Sequence, residues 1–465
     1  MTPSSGRTDA AQRQAAEQLA LRKRMREVEE AIMARTPEHD LEPTLERIAA
    51  VMELMGDPQH AFPVVHVTGT NGKTSTTRMA ERLLREMGLS TGRFTSPHLH
   101  DIRERIALNG KPIERERFLS AYDDVLPFIE LVDERATASD APRLSYFEVL
   151  VAVAYAAFAD APVDVAVVEV GLGGSWDATN VADGTVAVLT PVALDHQRLL
   201  GSTVEQIATE KSGIIKEGAI AVVGVQEPEV AEIIRERAAE VGATVAFEGG
   251  EFGLLSREVA VGGQQLSLRG LAGDYADIYL PLHGAHQGHN AAVALAAVEA
   301  FVGGGQQRLD PDLVREGFAG VTSPGRLELV RRSPAVLVDA AHNPAGALAL
   351  REALEDSFTF TRIVGVLAIL ADKDAGAILE VLEPIFDEVV VTRSTSPRAL
   401  APAALGAMAV DVFGEDRVTV IDDLPSALDH AAWLADDGGP GGGVVATGSV
   451  VTAAEVRLLL GATSD

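Results

Sequence analysis

The stretch VVHVTGTNGKTSTTRMAERLL, residues 64–84, passes from an apolar run through a glycine-rich turn into a segment with helical spacing. The valines at its start predict a short buried strand, and apolar residues from Met79 onward recur at helical spacing until Gly88. A loop between a strand and a helix lies in front of the unpaired backbone N–H groups of the first helical turn. Such groups bind anions, so the stretch predicts a phosphate site.

The loop contains Gly69, Thr70, Asn71, Gly72, Lys73, Thr74 and Ser75. Its two glycines let the backbone wrap closely around an anion, the lysine can neutralise β/γ-phosphate oxygens, and the Thr74 or Ser75 hydroxyl can coordinate magnesium. The glycine spacing is shorter than in the common G-x-x-x-x-G-K-[ST] loop. An ordinary glycine-rich turn is the alternative, but the flanking strand and helix and the Lys-Thr pair favour a nucleotide triphosphate.

Composition limits the classes of partner. A chain of 465 residues with 47% hydrophobic residues predicts two or three domains. Its net charge of −29 disfavours nucleic acid and anionic membranes, so an anionic substrate requires a locally basic pocket. The absence of cysteine excludes disulfides, thiolate zinc sites and a cysteine nucleophile. Because no apolar run suits a signal or membrane-spanning segment, we expect a soluble cytoplasmic protein and a monomer.

Patterns along the chain predict an α/β fold with two α/β domains. Residues 1–40 are expected to form a tail, disordered to about Ala11, and a charged helix. Apolar runs of strand length alternate with helical segments over 41–328, which predicts a mostly parallel sheet, and alternating residues near 252–282 predict a small antiparallel sheet. A second series of strand and helix patterns over 329–465 predicts a smaller Rossmann-like α/β domain.

Polar residues at predicted strand ends are the candidates for chemistry. Glu169 ends the strand in AVVEVGLGG and can hold magnesium or polarise water, or reach solvent at an edge. His196 follows Asp195 at the end of another strand and is a metal ligand or a satisfied polar residue. Asp339 and His342 in DAAHNP begin the second series, where a phosphate or ribose site across the cleft is plausible.

Two further stretches are less informative by themselves. In TSPHLHDIRER, Ser96 could be only a turn residue before a proline, and Arg103 could lie on a solvated face. In ATEKSGIIKEG, the spacing of Glu210 and Lys211 alone favours a surface ion pair on a helix.

In combination these stretches resemble the Mur ligase superfamily and, within it, the dihydrofolate synthase/folylpolyglutamate synthase family. The motifs VTGTNGKTS, TSPHL, YFEVL, VEVGLGG, DATN, EKSGIIK, PGRLE, DAAHNP, LADKD and ATGSV occur in the family's order over nearly the whole chain after the N-terminal helix. The resemblance implies an ATP-dependent ligase that joins L-glutamate to dihydropteroate or to tetrahydrofolate polyglutamates through an acyl phosphate.

The resemblance also implies roles for individual residues. Residues Gly69–Ser75 hold ATP, and Ser96, Glu169 and His196, with the Thr74 hydroxyl, correspond to ligands of two magnesium ions. Lys211 matches a lysine that the family carries as a carbamate. Adenine, phosphate and ribose contacts correspond to Asn290, Arg326 and Asp339, and His342 lies in the same interdomain motif. The pterin side of the cleft corresponds to Phe147, Trp176 and Asp177, and Arg326, Arg103 and Arg398 are expected to make the cleft positive.

A cell-wall Mur ligase, which joins an amino acid to a UDP-linked muramoyl precursor, is the nearest alternative. Thr74 stands where many folate enzymes have glycine, a feature shared with those ligases, and Ser175-Trp176 replaces the usual Arg-Leu before DATN. However, only a charged helix and a short connection precede Val64, where those enzymes carry a UDP-binding domain, and TSPHL is typical of the folate branch. A nucleotide-binding switch without ligase activity would need the loop but not the four residues Ser96, Glu169, His196 and Lys211.

Overall fold

The computed structural model describes residues 5–37, 42–437, 439 and 441–462. Helix α1 begins at Ser5, so the prediction of disorder is wrong for residues 5–11. Residues 1–4 lie outside the described part. Within the described residues, no helix combines the length and apolar character needed to cross a membrane. The helices are α1 (Ser5–Met33), α2 (Glu46–Leu54), α3 (Lys73–Glu86), α4 (Arg115–Ala138), α5 (Tyr146–Asp160), α6 (Gln197–Leu200), α7 (Val204–Ser212), α8 (Pro228–Glu240), α9 (Ala285–Gly303), α10 (Pro311–Ala319), α11 (Pro344–Ser357), α12 (Ala375–Leu382), α13 (Pro402–Phe413), α14 (Leu424–Asp437) and α15 (Val450–Leu459), with 3₁₀ turns at Pro58–His60, Ile102–Arg105, Ala178–Val181 and Glu415–Arg417.

The largest sheet has eight strands in the order β4-β3-β2-β5-β1-β6-β7-β8. They are β1 (Val64–Thr68), β2 (Thr91–Phe94), β3 (Ile106–Leu108), β4 (Lys111–Pro112), β5 (Val165–Glu169), β6 (Gly184–Leu189), β7 (Ile220–Val223) and β8 (Thr244–Phe247). All neighbours pair in parallel except β3 and β4 at one edge, which confirms the predicted mostly parallel sheet.

The central strands of this sheet are buried on both faces. Val64 belongs to the apolar cluster that includes residues of α4 and α5, whereas Val65 and Val67 belong to the cluster that includes residues of α3 and α9. Since successive side chains of a strand point to opposite faces, continuous valine runs are what a doubly covered parallel sheet requires. The strand ends therefore carry the residues that are free for chemistry.

Two smaller sheets complete the fold. Strands β9 (Gly253–Ala260), β10 (Gly263–Arg269) and β11 (Asp274–Leu280) form the antiparallel sheet predicted near 252–282. The third sheet has the order β12-β13-β17-β14-β15-β16. Its strands are β12 (Glu328–Arg332), β13 (Ala335–Val338), β14 (Arg362–Leu367), β15 (Glu388–Val391), β16 (Val418–Val420) and β17 (Gly442–Thr447).

In this third sheet only β12 runs antiparallel to its neighbour. It begins at Glu328, next to the predicted boundary between residues 328 and 329, which itself stays a prediction. The carboxyl ends of β1, β5 and β6 in the large sheet and of β13 and β14 in this one meet across a cleft, as the following contacts show.

Candidate active site

The loop between β1 and α3 is held in a conformation that only glycine fits at two positions. Gly69 has φ +143°, and an added Cβ would lie 1.9 Å from the Thr190 hydroxyl oxygen; Gly72 has φ +88°, and its Cβ would lie 2.5 Å from Asn290 Oδ1. The Lys73 ammonium donates to the carbonyl oxygens of Gly69 and Thr70, both at 3.1 Å. The lysine therefore contacts its own loop and can turn from these carbonyls to phosphate oxygens without breaking an ion pair.

Glu169 lies beside this loop because β5 pairs with β1 and places it opposite Val67. Its side chain is 1% exposed, and burial raises its pKa, although the Lys73 charge opposes that shift. One carboxylate oxygen accepts from Thr74 Oγ1 at 2.8 Å, and the other accepts from the Ser96 backbone N–H at 3.4 Å. The structure thus brings together the hydroxyl, the carboxylate and the TSPHL segment as the sequence predicted.

This donor set suits magnesium that is shared with phosphates. Among the described residues, no three histidine, aspartate or glutamate side chains approach closely enough to hold a metal by themselves. Magnesium, however, is commonly bound through one or two carboxylates together with substrate phosphates, and the hard oxygens of Thr74 and Glu169 fit that mode. Their position in the cavity that Lys73 also lines places them where the phosphates are expected.

The Asp195-His196 pair follows β6 and faces residues of the third sheet. Burial would raise the pKa of Asp195, but the hydrogen bond with His342 and the charges of His196 and Lys373 keep it well below its usual value. Asp195 accepts from Lys373 Nζ at 2.6 Å and from Asn343 Nδ2 at 3.0 Å. Burial lowers the pKa of His196 to about 3, so its imidazole is neutral near pH 7 and has a lone pair for a ligand.

Lys211 is buried, which contradicts a surface ion pair with Glu210. The lysine is 3% exposed, and Glu210 instead accepts from the backbone N–H groups of Gly174 and Trp176, at 3.2 and 3.3 Å. Burial, followed by the charge of Lys73, lowers the pKa of Lys211 to about 7. The lysine lines a cavity of about 30 Å³ shared with Gly69, Thr70, Lys73, residues 170–173, Asp195, His196, Leu200 and His342.

A larger cavity of about 130 Å³ extends from the other side of the same loop. Its lining residues include the loop from Thr70 to Ser75, Glu169, Asn290, Arg326, Asp339 and His342, all of which the sequence predicted as site residues. His286 and Gln287 also line it and were missed, although the HQ motif that contains them precedes the predicted Asn290 by three residues. Burial lowers the pKa of His286 to about 4, so it offers a neutral ring to this cavity.

Several predicted residues lie outside the linings of both cavities. Phe147 is 4% exposed and packs against Phe94 with ring centroids 5.7 Å apart; a Cβ at Gly171 would meet its ring at 2.4 Å. Phe147 thus supports the turn that follows Glu169. Asp177 accepts from the Leu172 N–H at 2.8 Å, and Trp176 packs, partly buried, in the cluster near α7.

The arginines expected to make the cleft positive differ in their surroundings. Arg326 lines the larger cavity, and its Nη1 donates to the carbonyl oxygen of Gly325, within its own turn, at 3.3 Å. Arg103 pairs with Asp101 and Arg398 pairs with Asp372, each at 2.6 Å. Lys73 also lines both cavities, and Lys373 pairs with Asp195, which lines the smaller one.

The fold and this site define a Mur ligase. The middle domain of the Mur ligases matches residues 141–298, and the Mur ligase glutamate ligase domain matches residues 325–450. The chain is 50% identical over 455 residues to the dihydrofolate synthase/folylpolyglutamate synthase of Mycobacterium tuberculosis, covering 94% of this chain and 93% of that protein. It belongs to the dihydrofolate synthase/folylpolyglutamate synthase family.

Solved structures agree with this assignment. The crystal structure of Mycobacterium tuberculosis folylpolyglutamate synthase with ADP and AMPPCP has a TM-score of 0.90 at 50% identity and covers 95% of this chain and 99% of that chain. A folylpolyglutamate synthase (FPGS) structure with AMPPCP and folate has a TM-score of 0.81 at 31% identity, and the match covers 94% of this chain and 99% of that chain.

Proposed function

We propose that the chain is an ATP-dependent carboxylate-amine ligase that adds L-glutamate to dihydropteroate, to tetrahydrofolate polyglutamates, or to both. The observation that carries the proposal is the group of Lys73, Thr74 and the buried Glu169 and Lys211 around one phosphate loop, facing Asp339 and His342 across the cleft. Family membership and the nucleotide and folate complexes of its structural relatives support it. The cell-wall alternative is not favoured, because the relatives over the full chain are folate enzymes.

The chemistry follows from the problem that a carboxylate presents. A carboxylate does not react with an amine near pH 7 because its leaving group would be oxide, whereas an acyl phosphate releases phosphate. Backbone N–H groups of the loop and Lys73 hold ATP so that the substrate carboxylate attacks the γ-phosphorus, breaking the bond to ADP. The glutamate α-amine then attacks the acyl carbon and expels phosphate.

Thr74 and Glu169, with a second group around His196, would hold magnesium, which would supply positive charge to the phosphates. Lys211 is proposed to act as a carbamate. Its amine is neutral in about half of the molecules at a pH near its pKa, and only the neutral amine reacts with carbon dioxide. The carbamate would replace a cation with an anionic oxygen ligand. Ser96 contributes its loop to the same metal region.

The two α/β units are proposed to divide the work at the boundary between residues 328 and 329. The first binds ATP and the pteroate or folate, with Phe147, Trp176 and Asp177 on the pterin side. The second supplies the glutamate-facing wall, including His342 and Arg398. Water must be excluded while the acyl phosphate exists, so the cleft is expected to close during turnover. We propose a monomer as the active form.

One assay tests the activity. The purified chain is given ATP, magnesium and L-glutamate with dihydropteroate, tetrahydrofolate or a UDP-muramoyl acceptor, and ADP and the amide product are measured. We expect ADP and amide in equal amounts with one or both folate acceptors and none with the UDP-linked acceptor. The Lys73→Ala variant should be folded but inactive. Product with the UDP-linked acceptor alone would replace the proposed function with the cell-wall activity.

A further inference from the structure

Four of the side chains that join the two α/β units form one connected group across the cleft. Asn71 and Asp195 follow β1 and β6 of the large sheet, whereas Asn343 and Lys373 follow β13 and β14 of the third sheet. We call these four residues the cleft clamp. Their contacts connect residues 148 to 272 positions apart in sequence, so they form only when the two units meet.

The amides of Asn71 and Asn343 bind each other in both directions. Asn71 Nδ2 donates to Asn343 Oδ1, and Asn343 Nδ2 donates to Asn71 Oδ1, each at 3.2 Å. Asn343 also accepts from the Gly346 N–H at 2.7 Å and so caps the start of α11. One side chain therefore both begins a helix of the second unit and contacts the middle of the phosphate loop.

Asp195 extends this contact with a charge. Its side chain is 8% exposed and accepts from Asn343 Nδ2 at 3.0 Å, while the Lys373 ammonium, 6% exposed, lies 2.6 Å from its other oxygen. Neither charge can stay buried without its partner. When the cleft opens, the ion pair therefore separates and both groups must regain water. The clamp thus has a neutral amide pair at the phosphate loop and an ion pair behind it.

We propose that Asn343 is a positioning residue that locks the second unit onto the phosphate loop when the cleft is closed. Asn71 lies between Gly69 and Gly72, which have no side chains to anchor the loop, so the contact of its own side chain helps to fix the loop that receives the phosphates. We call this contact between Asn71 and Asn343 the lock; it links closure of the cleft to the geometry of the phosphate loop. This inference rests on the proposed function for its effect on turnover, but its effect on closure does not depend on it.

The helix cap and the lock can be separated by mutation. In Asn343→Ser, the hydroxyl can still cap α11, as serine does at other helix starts, but the three hydrogen bonds of the Asn343 amide across the cleft are lost. Asn71→Ser removes the partner from the loop side, where that side chain caps no helix. Asp310→Ser is the matched control, because Asp310 caps α10 through the Asp312 N–H and makes no contact across the cleft.

Closure can be measured directly because the chain has no cysteine. Cysteines placed at Glu240 on α8 and Trp433 on α14, which are 69% and 60% exposed, take a donor and an acceptor dye for single-molecule energy transfer. The full-length chain is measured with and without AMPPCP and magnesium. Thermal unfolding of each variant shows whether it is folded.

We expect Asn343→Ser to lower the ratio of closed to open molecules at least tenfold, since it loses three hydrogen bonds across the cleft, one of them to a carboxylate. Asn71→Ser should lower it by less, and the double variant should equal Asn343→Ser because the two residues share one contact. Asp310→Ser should leave the ratio unchanged. An unchanged ratio in a folded Asn343→Ser, or in Asn71→Ser if the former does not fold, would overturn the lock, as would strictly additive losses in the double variant.

Turnover gives a second readout. If the lock shields the acyl phosphate, ADP released per amide formed should rise several-fold above one in Asn343→Ser and stay at one in Asp310→Ser. A chain that closes as described but ligates no acceptor would support the lock and refute the proposed function. A chain that ligates folates, with no change of closure in Asn343→Ser or Asn71→Ser, would support the proposed function and refute the lock.

Discussion

At the scale of single residues, the site depends on charged groups that are buried without being neutralised by one another. Desolvation lowers the pKa of both Lys73 and Lys211, because water no longer stabilises the ammonium form. Glu169 is desolvated as well, but it has only a hydroxyl and a backbone N–H as direct partners. Such groups favour a bound ligand of complementary charge, which phosphate and magnesium supply together.

Glu169→Gln tests this at the proposed metal site. Glutamine keeps the volume and can still accept from Thr74, but it removes the negative charge that attracts the metal. We expect at least a tenfold rise in the magnesium concentration for half-maximal ADP release, with a thermal midpoint near that of the unmodified chain. Glu251→Gln is the matched control, because Glu251 is exposed after β8 and, like Glu169, accepts from a backbone N–H, that of Phe247 at 2.8 Å, but lines neither cavity. Equal magnesium titrations for the Glu169 variant and the unmodified chain would remove this residue from the metal site.

Lys211 gives a prediction that includes pH. With a pKa of about 7, its ammonium fraction falls from about nine-tenths at pH 6 to about one-tenth at pH 8, so carbamate formation at limiting carbon dioxide should increase over that range. A ¹³C signal of a carbamate in bicarbonate-treated protein should follow the same rise. Lys211→Ala should lose most activity and regain part of it with formate or acetate.

The exposed Lys111, on β4, provides the control, since Lys111→Ala should neither lose activity nor respond to formate. Full activity in Lys211→Ala would mean that the lysine has a packing role only.

At the scale of elements, the turn after β13 is tied to the turn that carries Arg326. Asp339 accepts from the Ala341 N–H and from the Leu327 N–H, each at 2.8 Å. Glu328 accepts from the Gly325 N–H at 2.7 Å and from Arg457 Nε at 2.7 Å. Arg326 is thus held between two carboxylate anchors, and its guanidinium is aimed at the larger cavity by backbone contacts.

Asp339→Asn should affect both stability and nucleotide binding. The asparagine amide has one oxygen where the carboxylate has two. One of the two backbone N–H groups is therefore left unsatisfied, which lowers the free energy of unfolding by about 1–3 kcal/mol. Urea unfolding should show that loss, and KM for ATP should rise because the Arg326 turn loosens. Asp387→Asn is the matched control: Asp387 accepts from the Ile363 N–H at 2.7 Å but does not line either cavity, so it should lose stability with KM unchanged. A KM for ATP that does not rise in Asp339→Asn would separate this turn from nucleotide binding.

The sequence predicts elements and strand ends well, because both are local. Valine runs identify buried strands, and in a parallel sheet consecutive strand ends lie at one edge, so Glu169 could be placed beside Lys73 before any coordinates. Lys211 is different, since a Glu-Lys pair on a short helix looks the same whether it faces solvent or a cavity. Only the packing of Gly174 against the carbonyl oxygens of Glu210 and Lys211, 2.7 Å from an added Cβ, shows that this end of α7 is covered.

Contacts between the two units could not be predicted from spacing. Lys373 reaches Asp195 over 178 positions of sequence, and LADKD has no periodicity or turn chemistry that indicates its partner. Asn343 reads locally as a helix cap, which it is, and its second contact with Asn71 depends on how two sheets are oriented. Family resemblance supplied the order of these motifs but not the atoms that meet.

At the scale of the whole molecule, an acidic protein is proposed to bind acidic substrates. The net charge of −29 repels ATP, folate and glutamate at long range, whereas Lys73 and Arg326 attract them inside the cleft. Salt screens the two effects unequally. Charges on the exposed surface are screened once the Debye length falls to about 8 Å at physiological ionic strength, but buried charges are screened much less.

Raising the ionic strength from about 10 mM to about 150 mM should therefore leave kcat/KM for ATP unchanged or increase it, because long-range repulsion is removed while the contacts in the cleft persist. Arg326→Gln should lower kcat/KM by a similar factor, about tenfold, at both salt concentrations, since a charge-assisted contact is worth roughly 1.5–3 kcal/mol. Arg269→Gln changes the net charge by the same amount in the small antiparallel sheet, where Arg269 lies 3.5 Å from Asp274, and it should have little effect. Measurement of kcat/KM for the three proteins across the salt series shows whether the surface charge or the positive charges in the cleft control nucleotide binding. A steep fall of kcat/KM with salt in the unmodified chain would show that surface attraction, and not the buried cations, brings the nucleotide to the site.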